Sequence, residues 1–402
     1  MKALTATLIV SSACAATGAW ATGELDAVLG KALFERAWVS APASTDASDG
    51  LGPLFSAKGC AGCHAGPSLA ARFTETEDGK IAGRGLVIRF GDAEGNPDPL
   101  YGYLLQNQAV QGLTPEGRVV LTSAGGGEAG YDVSLALGRG ALDPATRRST
   151  RVAPALLGRA MLEAIDREAV LALADPEDRD GDGISGRARM IVRDGEETIG
   201  RFGWKAGTAT LDEQVADAFA REIGLSSARR PLPHGDCTAL QPDCLAAPTG
   251  ESALLEGHEL SEEMIGMVAA FVDSLDAPRR DEGPLQPAAT FAALGCAACH
   301  VPNLPDTQGS PMRAYSDLLL HDMGEDLDDG VGEPGVASAE WRTAPLIAMA
   351  EGGGRRYLHD GRAASIDAAI RAHGGEAAAA SARYESASET DRRALLDLIA
   401  KL

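Results

Sequence analysis

The chain has 402 residues, of which 45% are hydrophobic and 23% are charged, and these ordinary values exclude a largely disordered protein. Its 58 acidic residues outnumber the 36 basic ones and give a net charge of −22, which disfavours nucleic acid and anionic membranes as partners. Only 4% of the residues are aromatic, whereas 48 are Gly and 21 are Pro, so we expect irregular loops and a core filled partly by something other than side chains.

The first 21 residues have the pattern of a secretory signal peptide. Lys2 precedes an apolar stretch, and residues 19–21 (Ala-Trp-Ala) form a small-x-small cleavage site. A lipoprotein signal ending at Cys14 is a weaker alternative, because Ser11 stands where an aliphatic residue is expected. We therefore predict export, most simply to a bacterial periplasm. No later run approaches the ~20 apolar residues that span a bilayer, so the mature protein is not expected to be membrane-spanning.

Two Cys-x-x-Cys-His motifs, at 60–64 and 296–300, are the strongest signal in the chain. Two thiols at this spacing reach the two vinyl groups of one haem, and the adjoining His becomes the proximal iron ligand. A Cys₄ zinc site or thioredoxin-like chemistry would not account for a His after both motifs. The remaining Cys237 and Cys244 suit a local disulfide. We predict two covalently bound c-type haems, held by Cys60, Cys63, His64, Cys296, Cys299 and His300.

An acidic loop follows in the middle of the chain. Asp178, Asp180 and Asp182 place carboxylates at alternate positions beside Gly residues, as at the start of a calcium-binding loop. The twelfth position is Arg189, so the loop is not a complete EF-hand. We predict a Ca²⁺ site at these three aspartates, and the alternative is a solvated acidic turn.

Amphipathic patterns predict helices around both haem motifs. The first covers Leu25–Trp38, before the first motif. The second covers Met264–Leu275, and Ser261 can cap it. The last begins at Ser388, where Asp391 completes a capping box. Each motif is thus followed by a closing helix, as in small cytochrome c domains.

The best domain boundary is a charged linker rich in Pro and Gly that reaches Pro287. We predict a signal peptide at 1–21, an N-terminal cytochrome c domain at 22–278 and a C-terminal cytochrome c domain at 279–402. The first domain is oversized and must carry a large loop-rich insertion between its haem motif and its closing helix. The predicted fold class is mainly α, with two cytochrome c-like domains that each carry one covalent c-type haem.

His373 is the best candidate for the sixth ligand of the second haem. Three apolar residues of the predicted helix 365–373 share one face with this His, so its imidazole is expected on the buried side. A lone His on an apolar face is usually a core residue, but this one lies in a haem-bearing domain. Met323 is the alternative, a thioether ligand.

The first haem has no comparable ligand nearby. No His occurs between His64 and His234, so we expect a five-coordinate iron that is open to a small substrate. The alternative is that His234, His258 or His321 folds back onto it. An open iron beside a closed one suits chemistry at one haem and electron relay at the other.

Several segments carry a resemblance to a known family. Two such motifs lie more than 200 residues apart, and 357–362 (Tyr-Leu-His-Asp-Gly-Arg) precedes a ligand position fourteen residues beyond its His359. This arrangement resembles the bacterial di-haem cytochrome c peroxidase superfamily. Segments 315–324 (Tyr-Ser-Asp-Leu-Leu-Leu-His-Asp-Met-Gly), 340–345 and 201–206 are similar to its di-haem oxidoreductase branch, whose members are described as peroxidases or thiol oxidoreductases. The resemblance covers nearly the whole mature chain.

The resemblance implies roles for several residues. The distal ligand position of the second haem falls on His373, where the peroxidases have Met and the maturation branch has Tyr. Imidazole favours the ferric state, so a lower potential than that of a His/Met haem is implied. Gln106 and Glu116 match a catalytic pair that acts on bound peroxide by general acid–base chemistry, although Gln108 competes with Gln106. The Trp between the haems of relatives has no counterpart at the matching distance, and its possible replacements are Tyr101, Tyr103 and Trp204.

Taken together, the sequence predicts a periplasmic, peroxidase-like di-haem c-type oxidoreductase. Peroxide or another small substrate would react at an open N-terminal haem, and electrons would pass through a six-coordinate C-terminal haem. The alternatives are a pure di-haem electron-transfer protein and a maturation enzyme that oxidises a partner protein. The acidic surface predicts docking with a basic electron-transfer protein, such as a small cytochrome or a cupredoxin. Roles for His321, Met323 and His359 stay open.

Overall fold

The structure is a computed structural model that describes residues 16–44, 48–66, 69–76, 81–123, 130–193, 195–275, 289–350 and 352–402. Within these ranges the α-helices are α1 (Ala16–Glu35), α2 (Met161–Ala164), α3 (Arg167–Leu171), α4 (Leu211–Ala218), α5 (Pro242–Leu245), α6 (Glu262–Asp273), α7 (Ala289–Ala293), α8 (Ile366–Arg371), α9 (Ala378–Ser386) and α10 (Glu389–Ala400). The strands are β1 (Leu54–Phe55), β2 (Arg72–Glu75), β3 (Ile81–Arg84), β4 (Leu86–Gly91), β5 (Gln108–Ala109), β6 (Gly117–Ser123), β7 (Tyr131–Leu137), β8 (Arg147–Val152), β9 (Met190–Arg193), β10 (Glu196–Ile199), β11 (Leu304–Pro305), β12 (Pro311–Met312), β13 (Leu320–Asp322) and β14 (Glu340–Arg342).

The mainly α fold class predicted from the sequence is wrong. The strands of the described residues form seven two-stranded antiparallel sheets, which pair β1 with β5, β2 with β3, β4 with β8, β6 with β7, β9 with β10, β11 with β12 and β13 with β14. Strands β2–β10 lie between the first haem motif and α6, where a loop-rich insertion was expected. The physical reason is a period-2 pattern, because along β7 exposed residues alternate with half-buried ones.

The three predicted amphipathic helices are present. Helix α6 starts after Ser261, whose hydroxyl accepts a hydrogen bond from the Met264 amide at 3.2 Å. Helix α10 starts after Ser388, whose hydroxyl accepts one from the Asp391 amide at 3.1 Å. Helix α1 packs against α6 so closely that a Cβ on Gly30 would lie 1.8 Å from the carbonyl oxygen of Met267. The absence of a side chain at Gly30 therefore permits this helix contact.

Two apolar cores lie beside the two Cys-x-x-Cys-His motifs. The larger core joins α1, α4 and α6 beside the first motif, and it also includes Leu304, Leu318 and Ile347 from the C-terminal part of the chain. The smaller core joins α7, α8, α9 and α10 beside the second motif. Each Cys-x-x-Cys-His motif thus lies at the edge of a helical core, and the strands of the insertion pack into separate, smaller clusters.

Two predictions about the chain's organisation are not decided by these elements. The predicted boundary between 278 and 279 lies outside the described residues and stays a prediction. The first fifteen residues of the predicted signal peptide also lie outside them, and its last six residues belong to α1. No helix among the described residues has the length and apolarity needed to cross a membrane.

Candidate functional site

Two cavities lie beside the two Cys-x-x-Cys-His motifs. The N-terminal cavity, of about 440 Å³, is lined by Cys60, Cys63 and His64. The C-terminal cavity, of about 450 Å³, is lined by the three equivalent residues, which are Cys296, Cys299 and His300. Both volumes are within the usual range of cofactor pockets.

The two motifs share one local geometry. Each begins with a single 3₁₀ turn, Cys60–Gly62 or Cys296–Ala298, and the amide of its His donates 2.9 Å to the carbonyl of its first Cys. The Nδ1 atom of His64 lies 3.0 Å from the carbonyl oxygen of Leu69, and that of His300 lies 3.0 Å from the carbonyl oxygen of Tyr315. Because a carbonyl oxygen can only accept, this contact assigns a proton to Nδ1, which is the arrangement usual for a His that binds a metal through Nε2.

Electrostatics at both histidines favour the neutral, ligating form. Burial lowers the pKa of His64, and it lowers the pKa of His300 to about 4. The two residues whose carbonyls accept these bonds, Leu69 and Tyr315, both have left-handed backbone conformations, with φ of 46° and 48°. Such strained residues persist where the surrounding structure holds them, and they concentrate at functional sites.

His373 faces His300 across the C-terminal cavity. Their ring centroids are 6.5 Å apart, and the Nδ1 atom of His373 lies 2.7 Å from the carbonyl oxygen of Ala369. A metal bound to both Nε2 atoms, through bonds of about 2 Å, would place the centroids about 6 Å apart. The spacing of the pair would therefore let both imidazoles bind one iron. Met323, the alternative ligand, lines the same cavity.

The N-terminal cavity has only one imidazole. All seven histidines belong to the described residues, and His64 alone lines this cavity. His321 lines the C-terminal cavity instead, whereas His234 and His258 line neither of the two. The two cavities thus differ in the number of imidazoles that an iron could bind.

The walls of the N-terminal cavity are charged. On β4, Ile88 and Phe90 are buried in an apolar cluster, whereas Val87 and Arg89 alternate with them and line the cavity. The π-helical turn Phe219–Ile223, which continues α4, adds Arg221 and Glu222. Burial, with a smaller effect from Asp217, raises the pKa of Glu222 to about 7. Sequence reasoning missed Glu222, because no motif surrounds it.

Gln106 and Glu116 lie together but line neither cavity. The Gln106 amide donates 2.7 Å to Oε2 of Glu116, and the Gln241 side chain donates to its Oε1. Burial raises the pKa of Glu116 to about 7. The Gln106 side chain donates a hydrogen bond of 2.9 Å to the carbonyl of Arg221. Arg221 lines the N-terminal cavity, so the pair contacts a residue of the cavity wall without lining the cavity itself. Gln108, its competitor, donates 2.8 Å to the carbonyl of Ser56.

A disulfide supports this pair. Cys237 and Cys244 are bonded, as predicted, and the loop they close contains Gln241. Just before that loop, Asp236 accepts hydrogen bonds from the amides of Tyr103 and Leu104, at 2.6 and 2.7 Å. The disulfide segment therefore holds the chain that leads into Gln106.

A shared wall separates the two cavities. Trp204, Arg159 and Arg342 line both of them, together with residues 152–155. The indole nitrogen of Trp204 donates 2.9 Å to the carbonyl of Val152. Of the three aromatic residues considered for the inter-haem position, Tyr103 lines the N-terminal cavity only and Tyr101 lines neither. Trp204 is therefore the one that borders both sites.

His321 forms a buried triad beside the second motif. Its Nε2 lies 2.9 Å from Asp317, and its Nδ1 lies 2.7 Å from Glu376. Burial alone would lower the pKa of His321, but hydrogen bonds with Asp317, Cys299 and Glu376 raise it to about 12. Glu376 also accepts the hydroxyl of Ser185 at 2.8 Å. The sequence could have indicated this triad through the four-residue spacing of Asp317 and His321 within segment 315–324.

Two further groups bear on whether a cofactor fits the C-terminal cavity. Nε2 of His359 and Nη1 of Arg356 are buried at this cavity and have no hydrogen-bond partner among the described residues. The His359 ring stacks on Trp341 with centroids 3.7 Å apart. Buried polar atoms without partners are rare in native proteins, so these atoms fit a site that takes a polar ligand.

The three aspartates of the predicted calcium loop lie together. Ligand atoms of Asp178, Asp180 and Asp182 are all within 4.8 Å of one another. Asp180 and Asp182 are exposed, and Asp178 is half-buried. Asp182 also lines the C-terminal cavity, so the loop borders that site.

Comparison with known proteins gave one match. Residues 140–402 match the model of the family described as "Di-haem oxidoreductase, putative peroxidase". The matched range includes the second motif, His373 and Trp204, and the first motif precedes it. Neither the search of curated proteins nor the search of solved structures found a match.

Proposed function

Because the chain belongs to the di-haem oxidoreductase family, we propose that it is an exported enzyme that carries two covalent c-type haems. Peroxide or another small substrate reacts in the N-terminal cavity, and electrons pass through the C-terminal one. The family implies haem cofactors, and the two thiol pairs, Cys60 with Cys63 and Cys296 with Cys299, are the groups that would attach them. When bound, haem supplies one-electron chemistry, and an iron with an open position also activates peroxide.

One observation carries this proposal, namely the difference between the cavities. His300 and His373 face each other with centroids 6.5 Å apart, and both Nδ1 atoms contact carbonyls. His64 has the same Nδ1 contact but no imidazole opposite it among the described residues. His300 and His373 would both bind one iron, which suits electron transfer, whereas His64 alone would leave a position for a substrate.

Glu222 is the group we propose for proton transfer in the N-terminal cavity. It lines the cavity, and its pKa of about 7 lets the carboxyl both accept and release a proton near neutral pH. Gln106 and Glu116 act as positioning residues, because the Gln106 side chain holds the carbonyl of Arg221, next to Glu222. Trp204 borders both cavities and is the proposed electron relay between them.

The exported location and the partner follow from charge and from the N-terminal pattern. An acidic chain of net charge −22 suits a basic electron-transfer protein, and exchange rates with one should fall as salt rises. Export predicts a mature protein that begins at Thr22. N-terminal sequencing of the protein isolated from the periplasm tests the predicted export and cleavage.

The experiment that tests the function is low-temperature EPR of the oxidised holoprotein, before and after a slight excess of hydrogen peroxide. We expect one high-spin and one low-spin ferric signal, both lost on addition of peroxide. His373→Ala should convert the low-spin signal to high spin, whereas His258→Ala, at a histidine that lines neither cavity, should leave it unchanged. Two low-spin signals indifferent to peroxide would contradict the proposal and favour a pure electron carrier.

A further inference from the structure

The wall between the two cavities contains an uncompensated cluster of cations. Arg159 and Arg342 line both cavities, and Arg355 lines the C-terminal one. Arg342 and Arg355 are each 8% exposed, and Arg159 is half-buried. Among the described residues, no carboxylate forms an ion pair with any of the three, although Asp317 exerts some attraction on Arg342.

Backbone carbonyls hold these guanidinium groups in place without neutralising them. Arg159 donates to the carbonyls of Ala155 and Pro345, at 2.9 and 3.1 Å. Arg342 donates to the carbonyls of Gly203 and Thr343, at 3.1 and 2.9 Å. Each guanidinium has five N–H donors, so donors remain for a ligand.

The electrostatics indicate a missing anion. Burial, with repulsion from Arg342 and Arg355, lowers the pKa of Arg159 to about 9, and burial lowers that of Arg342 to about 10. A buried unpaired cation is strongly unfavourable, so such clusters occur where an anionic ligand completes them. Elsewhere in the N-terminal cavity arginines are paired, as Arg151 is with Glu333 at 2.8 Å. The wall therefore differs from its surroundings in lacking acids.

We infer that Arg159 and Arg342 form a common seat for the propionate carboxylates of both haems, supported on the C-terminal side by Arg355. Each haem carries two carboxylates, which match the planar fork of guanidinium. Both residues border both cavities, so one cation pair serves two cofactors and electrostatically couples them. Arg342 also donates its amide to the carbonyl of Trp204 at 3.0 Å, which places the seat beside the proposed relay.

This inference rests on the proposed function, because it needs both haems to be bound. The test is a spectroelectrochemical titration of the Arg159→Gln holoprotein, with the two haems followed by their separate spectra. Removing a nearby positive charge disfavours the reduced form, so the midpoint potentials of both haems should fall. We expect about a tenfold change in each reduction equilibrium, which is about 59 mV for a one-electron couple.

Matched variants separate the possible outcomes. Arg355→Gln should lower the potential of the C-terminal haem only, and the exposed Arg393→Gln should move neither. Arg342→Gln, which should act as Arg159→Gln does, serves as the second variant if the latter does not accumulate. If Arg159→Gln and Arg342→Gln both changed the midpoint potential of only one haem, or of neither haem, the shared propionate site would be overturned. A protein that binds no covalent haem would instead refute the proposed function.

Discussion

Replacing Glu333 by Gln should strongly destabilise the protein, because this carboxylate faces three arginines. Its carboxylate lies 2.8 Å from Arg151, 2.6 Å from Arg189 and 3.5 Å from Arg89, and its side chain is 12% exposed. Arg89 and Arg151 come from the paired strands β4 and β8, whereas Glu333 comes from the C-terminal part of the chain. The carboxylate therefore ties the insertion to the C-terminal part of the chain, at the wall of the N-terminal cavity.

The expected loss is about 3–5 kcal/mol, because removing one partner of a buried ion pair leaves the other charge uncompensated. The three arginines outweigh the opposing effect of burial and hold the pKa of Glu333 well below its usual range. A depressed folded-state pKa adds stability that is fully present well above the unfolded pKa of about 4.3, and this stability is lost gradually as the pH falls from there toward the folded-state pKa. The difference between wild type and Glu333→Gln should accordingly shrink in acid.

The assay is equilibrium urea unfolding of the holoprotein at pH 7 and again near pH 3, where linkage removes about 2 kcal/mol of this contribution, followed by circular dichroism. Glu197→Gln, at an exposed position of β10, is the matched control and should change the free energy of unfolding by less than about 0.5 kcal/mol. A Glu333→Gln loss equal to that of the control, or one that does not shrink in acid, would refute the reasoning.

Four further predictions concern the site. His373→Met should raise the midpoint potential of the C-terminal haem in a redox titration, because a thioether ligand favours ferrous iron more than an imidazole does. An unchanged potential would exclude His373 as a ligand. Trp204→Phe should slow inter-haem electron transfer in flash photolysis, whereas Trp341→Phe should not, because Trp204 lines both cavities and Trp341 lines only the C-terminal one; equal slowing would contradict this. Glu222→Gln should lower peroxide turnover by about 10²–10⁴-fold and remove the limb of the pH–rate profile near pH 7, because burial raises the pKa of the wild-type carboxyl to about 7. If this limb persists in the variant, another group than Glu222 transfers the proton. Asp180→Asn should weaken Ca²⁺ binding measured by calorimetry, and equal binding by both proteins would exclude this loop.

Much of the candidate site could be predicted because its chemistry depends on local spacing. A Cys-x-x-Cys-His motif is read directly from the chain, and the structure builds both copies with the same 3₁₀ turn and the same Nδ1 contact. The helical period likewise predicted that His373 would lie on an inward face, and it faces His300. Local capping by Ser261 and Ser388 is equally short in range, so those helix starts were confirmed.

The sequence did not predict the strands, because its clearest periodic patterns are helical and lie around the two Cys-x-x-Cys-His motifs. In β4 and β8, pairing joins residues about 60 positions apart, from Leu86 with Val152 to Gly91 with Arg147. Such long-range partners leave only a weak alternation in each segment, and context decides whether it forms a strand. The fold class was therefore wrong even though the predicted helices exist.

The sequence by itself determined the two Cys-x-x-Cys-His motifs and the pairing of Cys237 with Cys244, because each depends on a spacing of a few residues. It also predicted that these motifs attach two haems and that His373 closes the second site. Only the tertiary structure decided what faces each cavity. It placed Glu222 rather than Glu116 in the N-terminal cavity, and Trp204 with Arg159 in the shared wall. Those neighbours come from distant parts of the chain, and their proximity depends on packing and strand pairing that no local pattern encodes.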